Sequence, residues 1–118
     1  MQEKLKARDR TDSVVVHFTG NEATHFKKIR EEHLKQGLEE IGFHYVIEED
    51  GKMLMGRHQS KTGAHYAEFD ESSIGICIVG EKDGLNEEQT VAYNLLLDKL
   101  RKDYPDLQSI KYVYRTTE

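Results

Sequence analysis

The chain has 118 residues, 33% of them charged, with a formal net charge of -5. A chain of this size buries about two-thirds of its unfolded surface and builds one core, not two. The acidic balance argues against a non-specific nucleic-acid binder, which needs a basic surface to neutralise phosphates. No window approaches the ~20 apolar residues of a membrane span. The opening segment carries Lys4, Lys6, Arg8 and Arg10 without an apolar core, so residues 1–11 read as a basic arm and not as a secretory signal. The lone Cys77 cannot form an internal disulfide, which points to a reducing cytoplasm. With one proline and no repeats, residues 1–118 read as a single continuous domain.

In chain order, the run Val14-Val15-Val16-His17-Phe18 predicts a first strand over residues 12–18, with an ionisable ring near the end of an apolar stretch. A helix follows over residues 24–40 with Thr24 as N-cap, its packed face marked by Phe26, Ile29, His33, Leu34, Gly37, Leu38 and Ile41. Residues 43–48 and 52–55 are two strands joined through Asp50-Gly51, a strong hairpin signal that predicts antiparallel pairing. The run over residues 74–79 predicts a central strand buried on both faces. Asn86 caps a second helix with Gln89 at the capping-box position, a stripe of Ala92, Leu95, Leu96 and Leu100, and an end near Pro105. Residues 109–114 form the last strand. The expected core is Val14, Val16, Ile29, Leu38, Val46, Ile76, Ile78, Leu96 and Leu100. The fold class is α/β, a mixed sheet covered by helices.

Six short motifs then occur in order. They are His17-Phe18-Thr19, Ile29 with His33, Gly42-Phe43-His44-Tyr45-Val46-Ile47, Asp50-Gly51 with Gly56-Arg57, Gly63-Ala64-His65, and Ser73-Ile74-Gly75-Ile76-Cys77-Ile78-Val79-Gly80. Together they resemble the zinc-dependent N-acetylmuramoyl-L-alanine amidases of phage-lysozyme type, relatives of the peptidoglycan recognition proteins. The resemblance covers residues 12–115 and is compatible with a phage source. It implies a mixed, roughly five-stranded sheet flanked by helices, and a cleft that takes a glycan-linked stem peptide. It also implies a role for His17, since a strand histidine in this place is one of three zinc ligands in the family. An open zinc site lowers the pKa of bound water to about 7 and polarises the scissile carbonyl.

The departures from the family pattern bear on that role. The second ligand lies in a Gly-His-Arg-Asp-like motif that aligns with residues 112–116, where Tyr114 stands for the histidine, and the third falls beyond Glu118. His17 is thus the one matching ligand position, and Cys77, inside the buried strand, is no substitute. The family's Gly-Tyr-His-Phe reads Gly42-Phe43-His44-Tyr45 here. Strand alternation would put Phe43 and Tyr45 on one face, with the hydroxyl displaced by roughly 6.6 to 6.8 Å.

Two functions follow from this reading. The favoured one keeps the cleft and binds without catalysis and without a metal cofactor, through His17, Phe43, Tyr45, His65 and Tyr114. Its ligand would be a muropeptide, another small anionic molecule or a protein partner; some phage amidases bind a polymerase, and the basic arm suits such contact. The alternative is an active amidase whose zinc site is rebuilt from His17, His65 and a carboxylate such as Glu68 or Asp70. His33 and His44 read as structural, His25 and His58 as surface residues, and Lys27, Lys28, Arg30 and Lys35 as a solvated helix face. Arg57 is expected to hold a loop carboxylate or an anionic ligand.

Overall fold

The computed structural model describes residues 4–20, 25–80 and 84–113. Five strands form one sheet: β1 (Ser13–Phe18), β2 (Tyr45–Ile47), β3 (Met53–Met55), β4 (Ser73–Ile78) and β5 (Ser109–Val113), in the order β3-β2-β4-β1-β5. All neighbours are parallel except β2 and β3, which pair antiparallel as the Asp50-Gly51 turn predicts. Gly51 supplies the positive φ of 87° that this turn needs. The expected central strand is central, for β4 lies between β2 and β1 with every residue buried.

Alternation along the strands divides the molecule into two layers. One face of the sheet presents Val14, Val16, Tyr45, Ile47, Ile74, Ile76 and Ile78 to α2 (Glu87–Asp103), forming the larger core with Tyr93, Leu96, Leu97 and Leu100. The other presents Val46 and Cys77 to α1 (Phe26–Lys35), where they meet Ile29, Ile41 and Val79. Of the expected core, only Leu38 is not buried. Helix α1 stops at Lys35 and Gly37 turns the chain at φ 96°, so Leu38 falls in the following loop, off the packed face. The predicted N-cap Thr24 lies outside the described residues. On α2 the buried stripe is Gln89, Tyr93, Leu96, Leu97 and Leu100, while Leu95 is 65% exposed. The apolar count along this helix is high enough to support either of two neighbouring stripes, and contact with the sheet selects one.

The N-terminal segment is held to the domain. Ala7 bridges Lys61 in antiparallel fashion, and the Arg8 guanidinium donates to the Lys61 carbonyl at 2.6 Å. No described helix is long and apolar enough to cross a membrane.

At the start of α2 the Asn86 side chain accepts from the Gln89 backbone N–H at 2.8 Å, and the Gln89 side chain accepts from the Asn86 N–H at 3.2 Å. Asn86→Ala therefore leaves end-of-helix donors unmet, and chemical denaturation should show a loss of about 1 kcal/mol.

Candidate functional site

The face of the sheet turned to α1 carries the site. In the parallel register His17 sits beside Cys77 on one side and Val113 on the other. A cavity of about 350 Å³ opens over them. His17, Thr19, Cys77 and Val113 line it from the sheet, and Ile29, Glu32, His33 and Gln36 line it from α1, with Phe43 beside them, its ring 5.6 Å from that of His33. Those four helix residues follow the i, i+3, i+4, i+7 spacing that places side chains on one face of α1. The His17 ring meets Phe43 edge-on, with centroids 5.1 Å apart.

Behind His17 lies His65, whose side chain is wholly buried. Two glycines make its slot: a Cβ on Gly75 would sit 2.5 Å from the His65 ring, and one on Gly63 2.7 Å from it. Asp70 fixes the loop by accepting the backbone N–H groups of His65 at 2.9 Å and Tyr66 at 2.8 Å. His65 Nδ1 stands 3.0 Å from His17 Nε2.

The direction of that bond follows from its surroundings. The Ser73 hydroxyl donates its one proton to the Phe69 carbonyl at 2.7 Å, so towards His65 Nε2, 3.4 Å away, it can only accept. The Asp70 carboxylate, 3.6 Å from the same nitrogen, is an acceptor too. His65 therefore carries its proton on Nε2 and offers Nδ1 as a lone pair, and His17 donates Nε2–H to it. Both rings are neutral: burial pushes the His17 imidazole down to about 4 against the opposing pull of Asp70, and burial with the neighbouring His17 pushes His65 down to about 2.

A third buried ring supports the pair from below. His44 Nδ1 accepts from the Gly75 N–H at 3.0 Å, while its Nε2–H donates to the Lys61 carbonyl at 2.7 Å. Burial holds it down to about 4; the Arg8 and Arg57 guanidiniums push the same way and the carbonyl bond opposes them. Arg57 is enclosed and donates to the carbonyls of Ile41 at 3.0 Å, Thr62 at 2.8 Å and Glu40 at 3.1 Å. It ties the loop to the approach of β2 and is closed to an anionic ligand, one of the two partners expected from sequence. His33 is structural as expected, accepting the Gly42 N–H on Nδ1 at 2.9 Å.

Of the residues expected to form the cleft, His17 and Phe43 share the cavity, and His65 stands behind His17 without lining it. Tyr45 lies in the core on the α2 side, its hydroxyl donating to Gln59. The expected common face for Phe43 and Tyr45 is thus corrected. Strand β2 begins only at Tyr45, and Phe43 belongs to a bend, where alternation does not hold. Tyr114 lies outside the described residues. Sequence reading missed Glu32 and Gln36, whose signal was their helical spacing from Ile29.

Catalytic zinc takes three protein donors and leaves one position open. His17 keeps Nδ1 as a lone pair, but among the described residues no three His, Cys, Asp or Glu side chains are grouped to hold a metal. A site rebuilt from His17, His65 and Asp70 is not assembled, because the two nitrogens of His65 point to His17 and Asp70 in opposite directions. Glu68 is exposed. The described residues do not fit a three-ligand zinc ion.

Residues 7–115 match the family model described as N-acetylmuramoyl-L-alanine amidase. The endolysin of Enterobacteria phage K11 is 32% identical over 108 residues, covering 83% of this chain and 72% of the phage protein. Of three other phage endolysins, 31–34% identical, the chain spans 52–55%, about half their length. Among solved structures, the endolysin amidase LysCS of Clostridium intestinale superposes with a TM-score of 0.84 at 24% identity, covering 93% of this chain and 73% of that one. The ectodomain complex of peptidoglycan recognition proteins LCa and LCx, bound to tracheal cytotoxin, gives 0.78 at 24% identity, covering 94% and 75%. These superpositions show the shared fold.

Two outcomes follow from the histidine cluster. Gly75→Ala drives a Cβ into the His65 ring and should cost about 1 to 3 kcal/mol in denaturant unfolding, with loss of the His17–His65 bond seen in imidazole nitrogen shifts. The second concerns acid. His17, His44 and His65 stay neutral in the fold, whereas the unfolded chain takes up protons below the ordinary value of 6.5. The unfolded state then binds more protons, so stability should be fully present above about pH 6.5 and fall steadily towards about pH 4. Thermal melts across that range, repeated on His44→Gln to remove one of the three rings, measure it.

Proposed function

The chain belongs to the N-acetylmuramoyl-L-alanine amidase family, and from that membership we propose that it acts on peptidoglycan by holding a glycan-linked stem peptide in the cavity lined by His17, Phe43 and α1 without hydrolysing it. The observation that favours binding over hydrolysis is Tyr114, which stands in the last motif where the family carries its second zinc-ligating histidine. A histidine that gives its Nε2–H to a buried neighbour keeps one lone pair, on Nδ1, and acts as a hydrogen-bond acceptor. A peptide N–H is a suitable partner for it. The cavity offers an aromatic wall in Phe43 and a few placed polar groups in Thr19 and Gln36, the usual composition of a small-ligand site. The tracheal cytotoxin held by the related recognition proteins supports a muropeptide as the ligand class.

Calorimetric titration of a soluble muropeptide should give saturable binding. Phe43→Ala should weaken it about three- to tenfold through lost aromatic contact, without a matching loss of melting temperature. Peptidoglycan incubated with the protein and added zinc should release no free stem peptide. Release that disappears in His17→Ala would reverse the assignment and restore the hydrolase.

A further inference from the structure

The charge of the cavity says which ligands it accepts. Among the described residues, Glu32 is the one carboxylate lining it, and no lysine or arginine does so. The cations of α1, Lys27, Lys28, Arg30 and Lys35, are exposed and lie off the stripe that faces the cavity. The remaining nearby cations are engaged elsewhere: Arg57 on three carbonyls, Arg8 on the Lys61 carbonyl and Lys111 above the Phe69 ring. The rings of the cavity contribute no positive charge, because His17 keeps its Nδ1 lone pair and His33 uses its Nδ1 to accept the Gly42 N–H.

We infer that Glu32 is a specificity-determining residue, selecting ligands that present a primary ammonium at the α1 wall over neutral or anionic ones. This rests on the stem-peptide reading of the same cavity and narrows it to peptides with a free amino group, such as a diamino-acid side chain. The Glu32 carboxylate supplies the counter-charge, and the Gln36 amide oxygen, one helical turn further along, supplies a neutral acceptor. Among the described residues a small anion finds no cationic partner there. The four cations of α1 are a solvated face, as the sequence led one to expect, and take no part in the cavity.

The test compares two soluble muramyl tripeptides, one ending in lysine and the other in Nε-acetyllysine, titrated against the wild type, Glu32→Gln and Glu32→Asp. The wild type should prefer the free amine about fivefold, the gain expected of a solvent-accessible ion pair. Glu32→Gln should bind both peptides alike, at the affinity the wild type shows for the acetylated one, and Glu32→Asp should keep part of the preference. Raised salt should shrink the difference. Because Glu32 is exposed, all three proteins should melt alike. Equal binding of both peptides by the wild type, or a preference that survives Glu32→Gln, would overturn the selectivity while leaving the peptide site standing. Failure of both peptides to bind the wild type would overturn the peptide reading together with this one.

Discussion

The site depends on one close approach, the His65 imidazole lying flat against the backbone of β4 at Gly75. No other residue type leaves room there, since even a methyl group would stand 2.5 Å from the ring. The same economy recurs at Gly42, where a Cβ would meet the Ala64 carbonyl oxygen at 2.0 Å. With these gaps filled by the loop, Arg57 can span it and bind carbonyls from both sides. Three glycines and one buried guanidinium thus convert an irregular segment into a rigid wall, and His17 donates its Nε2–H into that wall.

Burying three imidazoles in one layer has an electrostatic consequence. Each ring is desolvated, and protonating any of them would place a cation beside other rings or beside Arg8 and Arg57. The fold solves this by keeping all three neutral and, among the described residues, giving every ring nitrogen but His17 Nδ1 a polar neighbour: Gly75 N–H and the Lys61 carbonyl for His44, His17 and Ser73 for His65. The opposite face of the sheet is almost wholly apolar and holds α2. Stability is concentrated on one side and polar chemistry on the other, and β4 belongs to both.

The family scaffold does not by itself decide what His17 does. A strand histidine can ligate a metal when its lone pair faces two further donors, or bind a peptide when that lone pair is left as a single acceptor. That lone pair is Nδ1 in either case, since the Ser73 hydroxyl acting through His65 keeps the proton on Nε2, and the difference lies in whether further donors meet it. The wall facing His17 matters as much. Helix α1 places Glu32 and Gln36 opposite it and turns its lysines and arginine away, so a basic helix presents an acidic face to the cavity.

Much of the architecture was legible in the residues. The β-branched run 14–16, the Asp50-Gly51 turn and the Asn86/Gln89 capping box each encode a local preference, and the strands, hairpin and second helix appear where those preferences place them. The order of six motifs identified the family for the same reason, because glycines and buried ring residues at those spacings answer to fixed backbone contacts. What the residues could not decide was whatever depended on distant segments meeting. Whether Phe43 continued a strand or bent away, which of two stripes on α2 met the sheet, and whether Arg57 faced a ligand or the backbone were settled by packing. The proton on His17 was settled the same way, by a serine and a histidine from elsewhere in the chain. Local propensity acts over a few residues, whereas burial, hydrogen-bond direction and the sign of charge in a cavity are properties of neighbours brought together only by the folded chain.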